Sequence, residues 1–552
     1  MTKDLWLIVG VVLTLASMTL NRVCRAASPA EAAQAALADA AKVDPARVKQ
    51  TRWLTLANVP EAARDDTITA VNYALNAVSR SRLISTPELV GDDLLRLDLA
   101  SYADLKNPTS YADVFRAWEN LAVQDPYFHL QTQVAVAPAS TKSKAAQPAG
   151  TKTAIVKDAA GNTVAATVAK VTTDGGWVGI DTTAKLRETT TSVGAVLRAD
   201  WFVAQVLSPG PYYEWSGVPT KETEFLTALG VNLEDINRLA ADSAANLFRS
   251  GVTGKPRRVV FRPSPIGGVW ITQDVGKETP DKDPLRVPIN YNGLKYQFDA
   301  SEIFYSRPNG MWGTALYDAK GERQNAVPPN IATDHSAPPG HQELVPLVSC
   351  IRCHELNGGS AGLQPFTDEQ TKLPTLDATL SDPQVTTRVA ELYDARRLGR
   401  EMDRAQEDYA RAVDAATGLE TKEATQAVSA VFGRQVYESV TLGVAAADVG
   451  IDDPAEYAGT LNGTADPVLL ALQAGRKVNR RSWEASFQES ALRSVKKGGE
   501  GGDEQNELSA DQKPDPLKAM KEPAAPVPPV VKIVIPKTKK ADDSKKVADA
   551  EK

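Results

Sequence analysis

Five consecutive residues, Cys350-Ile351-Arg352-Cys353-His354, constrain this chain more than any other stretch. In C-x-x-C-H the two thiols stand three positions apart, so on one helical turn both reach the same edge of a flat ring. The next side chain then lies beneath that ring and offers an imidazole nitrogen to a metal. The pattern reads as covalent attachment of one haem c, with Cys350 and Cys353 as thioether links and His354 as the proximal iron ligand. A thioredoxin-like redox pair needs a strand feeding a helix, whereas this approach is Pro-rich (Pro338, Pro339, Pro346) and the exit Gly-rich (Gly358, Gly359). Zinc is the stronger rival, because His335 and His341 just upstream would complete a four-ligand set with Cys350 and Cys353.

The other end of the chain bears on that choice. Leu5 to Leu20 (LWLIVGVVLTLASMTL) is an apolar run with Lys3 just before it and Ala-rich sequence after it. Its length falls between a secretory h-region and a membrane span. Cleavage after Ala26 places small residues at Cys24 and Ala26 and makes residues 1–26 a signal peptide. An uncleaved inner-membrane anchor is the alternative, since Arg22 and Arg25 follow the run and Asp4 offsets Lys3. Asn21-Arg22-Val23 lacks the small residue expected before a lipid-modified cysteine. Either way the body is expected to be exported and periplasmic, on the side of the membrane where bacteria attach haem. Of three cysteines, two are in the motif and one in the signal, so stability must come from apolar cores rather than disulfides. A net charge of -7 over 552 residues gives no reason to expect a nucleic-acid partner. The expected partners are redox proteins of the cell envelope.

A chain this long exceeds one compact core. After the signal we expect an α/β domain at 27–136, a linker at 137–152 and a helical plus β-rich domain at 153–333. A haem attachment segment at 334–378, a helical domain at 379–495 and a disordered tail at 496–552 complete the order. The fold class is therefore α+β and multidomain, with an N-terminal α/β unit, a β-rich middle and a C-terminal helical domain. The attachment motif falls at the β/helical junction. Periodicity predicts an Ala-rich helical segment at 28–48, a strand at Arg52–Val59, a helix at Asp66–Ser79, a strand at Leu94–Leu99 and a helix at Tyr111–Val123. Thr153 to Val171 reads as a hairpin about Ala160-Gly161-Asn162, and Ala195 to Ser250 as helical with Trp201, Phe202, Val206, Phe225, Leu226 and Leu229 in the core. Leu285–Tyr291 and Leu294–Phe298 flank Asn292-Gly293, a strong hairpin signal, and further turns fall at Pro308–Gly310 and Asp318–Gly321. Lys255, Arg257, Arg258 and Arg262 read as an exposed strand edge, with haem propionates as the alternative. Later, Leu398, Met402, Ala405, Tyr409 and Val413 form one helical stripe, followed by Val428, Val431, Val436 and Val440, then Trp483 and Phe487.

Several runs carry a family resemblance: Leu197–Val203 (LRADWFV), Thr223–Val231 (TEFLTALGV), Phe248–Gly254, Glu302–Gly310 (EIFYSRPNG), Leu316–Gly321 (LYDAKG) and Ser349–His354. The chain resembles a family of large exported bacterial proteins with a cytochrome c domain, over about residues 50 to 490 outside the linker. The resemblance implies c-type haem binding and electron transfer, and it carries over only Cys350, Cys353 and His354. The ordinary small cytochrome c places its motif after a short N-terminal helix, whereas this motif follows β-structure and a Pro-rich loop.

The distal iron ligand has few candidates. Met402 lies 48 residues beyond His354, on the side where small cytochromes place theirs, and its alternative is plain helix core. His335, His341 and His129 compete with it, Met311 reads as β-core, and Met520 falls in the tail. No phosphate-binding loop, nucleophile elbow or zinc-protease motif is present. The expected function is one-electron transfer. The alternatives are a haem enzyme or small-molecule sensor with an open sixth position, and a zinc-stabilised envelope interaction protein.

Overall fold

The structure, a computed structural model, describes residues 29–107, 109–127, 153–157, 163–167, 196–231, 243–247, 254–255, 257–284, 286–288, 295–327, 331–356, 383–393 and 395–498. The apolar N-terminal run, His129, the 137–152 stretch, Asn292-Gly293 and Met520 lie outside these residues. Met1–Gly498 and Gly499–Lys552 form separate units, and the second contains no described residue. Among the described residues no helix is long and apolar enough to cross a membrane.

The architecture is mixed α/β. Helix α1 (Pro29–Ala40) precedes β1 (Thr51–Thr55), α2 (Arg64–Val78), β2 (Glu88–Val90), β3 (Leu94–Asp98) and α3 (Ser110–Gln124). These match the sequence periodicity closely. Strands β4 (Thr153–Lys157) and β5 (Thr163–Thr167) pair antiparallel, the expected hairpin. The first sheet is then completed by β6 (Val196–Arg198), which lies beyond the low-complexity stretch and pairs parallel to β1 through Trp53 and Val196. Its order is β2-β3-β1-β6. Helix α1 covers one face, where Trp53 is fully buried against Ala36 and Ala40 and donates to Asp39 Oδ2 at 2.9 Å. The other face enters the main core with Leu54, Leu95 and Leu97.

Three short helices follow, α4 (Ala199–Val206), α5 (Pro209–Ser216) and α6 (Glu222–Ala228), and all six core residues predicted there are buried. The second sheet is a meander of β7 (Ser243–Leu247), β8 (Arg257–Ser264), β9 (Gly267–Asp274), β10 (Ala300–Ser306) and β11 (Trp312–Asp318), in the order β11-β10-β9-β8-β7. Strand β7 corrects the helical expectation for that segment. Residues 286–288 and 295–298 form no strand, and the rest of the expected hairpin around Asn292-Gly293 lies outside the described residues. Between β10 and β11 the predicted turn is present, with Arg307 N donating to Met311 O at 2.8 Å. The Arg307 guanidinium donates to Val78 O (3.0 Å) and Ser79 O (2.6 Å), which closes the C-terminus of α2, where carbonyls lack helical partners.

Beyond this sheet lie α7 (Val348–Ile351), α8 (Pro383–Leu392), α9 (Ala395–Thr417), α10 (Thr421–Val436), α11 (Leu442–Asp448) and α12 (Arg480–Gly498), with two short helices between the last two. The α9 stripe is buried as predicted, whereas Val436 is 37% exposed. Helix α10 packs along both α2 and α4, so early and late segments share one apolar cluster running from Leu54 through Phe202, Ile303 and Tyr409 to Phe487.

Candidate functional site

The site is built on β10. Its sequence ASEIFYS is buried at six of seven positions, so both faces of the strand must be covered. Alternation sends Ser301 and Tyr305 to one face, where Ser301 donates to Glu222 of α6 at 2.7 Å and Tyr305 meets the Phe225 ring edge-on at 5.0 Å. Glu302 and Phe304 point to the opposite face. Arg257 reaches the same face, 3.1 Å from Asp274 and 3.6 Å from Glu302. This corrects the exposed-edge expectation for the basic run: β8 is an interior strand, and both Arg257 and Arg258 are buried, the latter donating to Gln273 at 2.7 Å.

The motif turn packs on that face. Helix α7 opens into a wider π-type turn at Arg352–Leu356, so Cys350, Cys353 and His354 follow one another along a single coil. Immediately before it, Leu347 has φ 61 and ψ -62, and Val348 N donates to Pro346 O at 2.8 Å. This is a γ-turn centred on a branched residue, a strained conformation that its surroundings must enforce. Strand β11 does so, because Leu347 N donates to Thr314 Oγ1 at 2.6 Å and the Leu347 side chain is fully buried.

The two cysteines differ. Cys350 is 3% exposed, and its thiol donates to Glu302 Oε1 at 3.4 Å. Burial, reinforced by the Glu302 carboxylate, pushes that thiol well above its ordinary range. Cys353 is partly exposed, and burial together with Asp334 and Glu302 pushes its thiol up to about 11, against the pull of Arg352 and Arg257. Burial also raises the Glu302 carboxyl, with Arg257 opposing.

Between the cysteines, Arg352 bolts the turn down. It reaches Asp334 Oδ2 at 2.6 Å and donates to the Tyr437 hydroxyl at 2.8 Å, just past α10. The His354 imidazole meets the Phe304 ring at 4.9 Å and 62°. From Phe304 the packing continues edge-on to Trp312 at 6.0 Å and from there to Tyr409 of α9, stacked at 4.2 Å. The hydroxyls of Tyr409 and Tyr73 lie 2.7 Å apart, which ties this series of rings to α2.

Cys350, Cys353 and His354 are thus brought together. Two thiols outside any disulfide and one imidazole on a single coil are the donor types that covalent haem requires, so the residues present fit that group. Met402 is 4% exposed in the α9 stripe, two turns before Tyr409, and Met311 is fully buried just before β11. His335 and His341 are exposed, and His341 packs on the Tyr437 ring at 4.9 Å. Among the described residues no three His, Cys, Asp or Glu side chains gather as a metal-binding group, and that includes the set His335, His341, Cys350 and Cys353. Glu302, Phe304, Thr314 and Asp334 were missed by sequence reading. A lone carboxylate in the otherwise uncharged strand at 300–306 was the signal available for Glu302.

No family model, curated protein or solved structure matches this chain.

Proposed function

We propose that the chain is an exported monohaem c-type cytochrome that carries single electrons on one covalently bound haem c. Redox proteins of the cell envelope are its partners, and it acts in the periplasm, either free or held at the inner membrane by residues 5–20. The observation that carries this reading is the donor set on one coil, with Cys350, Cys353 and His354 packed against a buried strand. Packing of that coil against both α10 and Glu302 of β10 favours a haem at the junction of the β-rich and helical parts.

When bound, the haem supplies an iron centre that cycles between ferric and ferrous states. The chain's residues do the rest. Cys350 and Cys353 hold the ring, His354 offers one axial nitrogen, and Phe304 fixes the tilt of that imidazole. Burial around Glu302, Asp274 and Arg257 keeps water away and sets the local field, which moves the potential.

Protein made in a host with haem-maturation machinery is expected to keep its haem on a denaturing gel, visible by peroxidase staining. The double variant Cys350→Ser, Cys353→Ser should show none. Wild-type protein without stain and with one equivalent of zinc would sink the proposal.

The sixth iron position separates carrier from enzyme or sensor. With Met402 as distal ligand the spectrum is low-spin, carries a weak sulfur-to-iron charge-transfer band, and belongs to a raised potential, because a neutral thioether favours ferrous iron. Met402→Ala should remove that band and open a site for carbon monoxide. A low-spin spectrum unchanged by the substitution assigns Met402 to the helix core and directs attention to His335 and His341. A high-spin wild-type spectrum favours the enzyme or sensor.

A further inference from the structure

We infer that the cleft between α3, α5 and the chain beyond β11 binds a small hydroxylated organic carboxylate, with the Arg323 guanidinium gripping the carboxylate. The cleft shares no lining residue with the cysteine turn, and the inference does not depend on haem.

The cleft has a volume of about 630 Å³, within the range of small-molecule sites. The guanidiniums of Arg80, Arg116 and Arg323 line it together with the carboxylates of Asp113 and Glu214, so one positive charge is left over. The hydrogen bonds show where that charge sits. Arg80 is spent on structure, donating to Trp215 O (2.9 Å), Glu214 O (2.8 Å) and Asp113 Oδ2 (2.8 Å), which closes the C-terminal end of α5. Arg116 donates to the other Asp113 oxygen at 2.5 Å. Arg323 has no carboxylate partner among the described residues. Its Nη1 donates to the Val218 carbonyl, and its Nε and Nη2 donate to nothing among the described residues.

Those two atoms form the side of the guanidinium whose parallel N–H bonds match the two oxygens of one carboxylate. The group is already in place. It lies over the Tyr213 ring at 4.5 Å, and that ring is buried with its hydroxyl donating to Gln324 O at 2.8 Å. Little side-chain freedom is then lost on binding. A single carboxylate balances the surplus charge, whereas a phosphate ester near its dianionic state exceeds it. Glu214 supplies an acceptor for a ligand hydroxyl, because Asn120 donates only to its Oε1, at 2.6 Å.

Gluconate, a polyhydroxy monocarboxylate, is the probe, and sorbitol is the same carbon chain without the carboxylate. Calorimetric titration of the full-length protein should show binding of gluconate and none of sorbitol. Arg323→Gln should weaken gluconate about tenfold or more, the loss expected for hydrogen bonds to a charged group. Arg323→Lys keeps the charge without the fork and should fall between. Arg404→Gln, on an exposed part of α9, should match wild type. Should Arg323→Gln fail to fold, wild-type protein carries the test: an arginine-directed dicarbonyl reagent should modify Arg323, and gluconate but not sorbitol should protect it, as read by peptide mapping. No binding at about 10 mM gluconate overturns the inference. So does equal binding of gluconate and sorbitol, tighter binding of inorganic phosphate, or an unchanged affinity in Arg323→Gln.

Discussion

Asp448→Ala is expected to cost about 3–5 kcal/mol of folding free energy, because it leaves a buried cation without its partner. Asp448 closes α11 and is almost fully buried. Its carboxylate accepts from Arg198 (2.6 Å), Arg480 (2.6 Å) and Trp483 Nε1 (2.8 Å). Arg198 retains Asp200, which it grips at 2.7 and 3.0 Å and which also accepts from Gln435 at 2.6 Å. Arg480, 9% exposed, would lose the carboxylate that balances it. Asp448→Asn keeps the shape and one good acceptor and should fall between wild type and alanine. Asp408→Ala is the control, since its pair with Arg411 is solvent-exposed and worth at most about 1 kcal/mol. Urea unfolding followed by tryptophan fluorescence compares the three, with Trp201 and Trp483 buried as reporters. An Asp448→Ala midpoint equal to wild type would show that the network carries no stability.

The second large effect is on pH dependence. Around this network Arg198 and Arg480 are balanced by Asp200 and Asp448, which makes Asp125 and Glu484 surplus acids. Asp125 is fully buried. Burial lifts its carboxyl to about 8, opposed by the Tyr127 amide (2.8 Å) and Arg198 and assisted by Glu484 and Asp200. Burial likewise lifts Glu484 to about 7, with Arg480 and Arg198 opposing. An unfolded aspartate titrates near about 3.9, so between roughly pH 4 and pH 8 the folded chain binds more protons than the unfolded one. The stability from protonated Asp125 is therefore fully present below about pH 4 and is lost as pH rises through about 8, on the order of a few kcal/mol. Asp125→Asn stays neutral throughout, so its stability should decline less over that range, with Glu484 supplying the remaining slope. Parallel stability profiles for wild type and variant would exclude Asp125 as a titrating group.

Much of this architecture is legible in the chain. The α9 stripe and the helices at 64–78 and 110–124 follow from residue spacing, because one face of each meets the core. Strand β7 was not legible: SAANL has no β-branched or aromatic side chain, and it is a strand because β8 offers a ladder to pair with. The burial of Arg257 was hidden for a related reason. Its partners Asp274 and Glu302 arrive on other strands, and only the register reveals that the three share a face. In the site, the five motif residues stand out by spacing, whereas the contact of Cys350 with Glu302 depends on where β10 lies, which no local pattern records.

The way this chain returns to its own beginning has a consequence for the order in which it is made. Strand β1 waits for β6, Tyr73 finds Tyr409 across 336 positions, and Asn58 donates to the Asp448 carbonyl across 390. Contacts this distant cannot form while the later residues are still on the ribosome, and closing such long loops costs entropy before any contact repays it. The N-terminal half therefore stays incomplete until the last helices arrive.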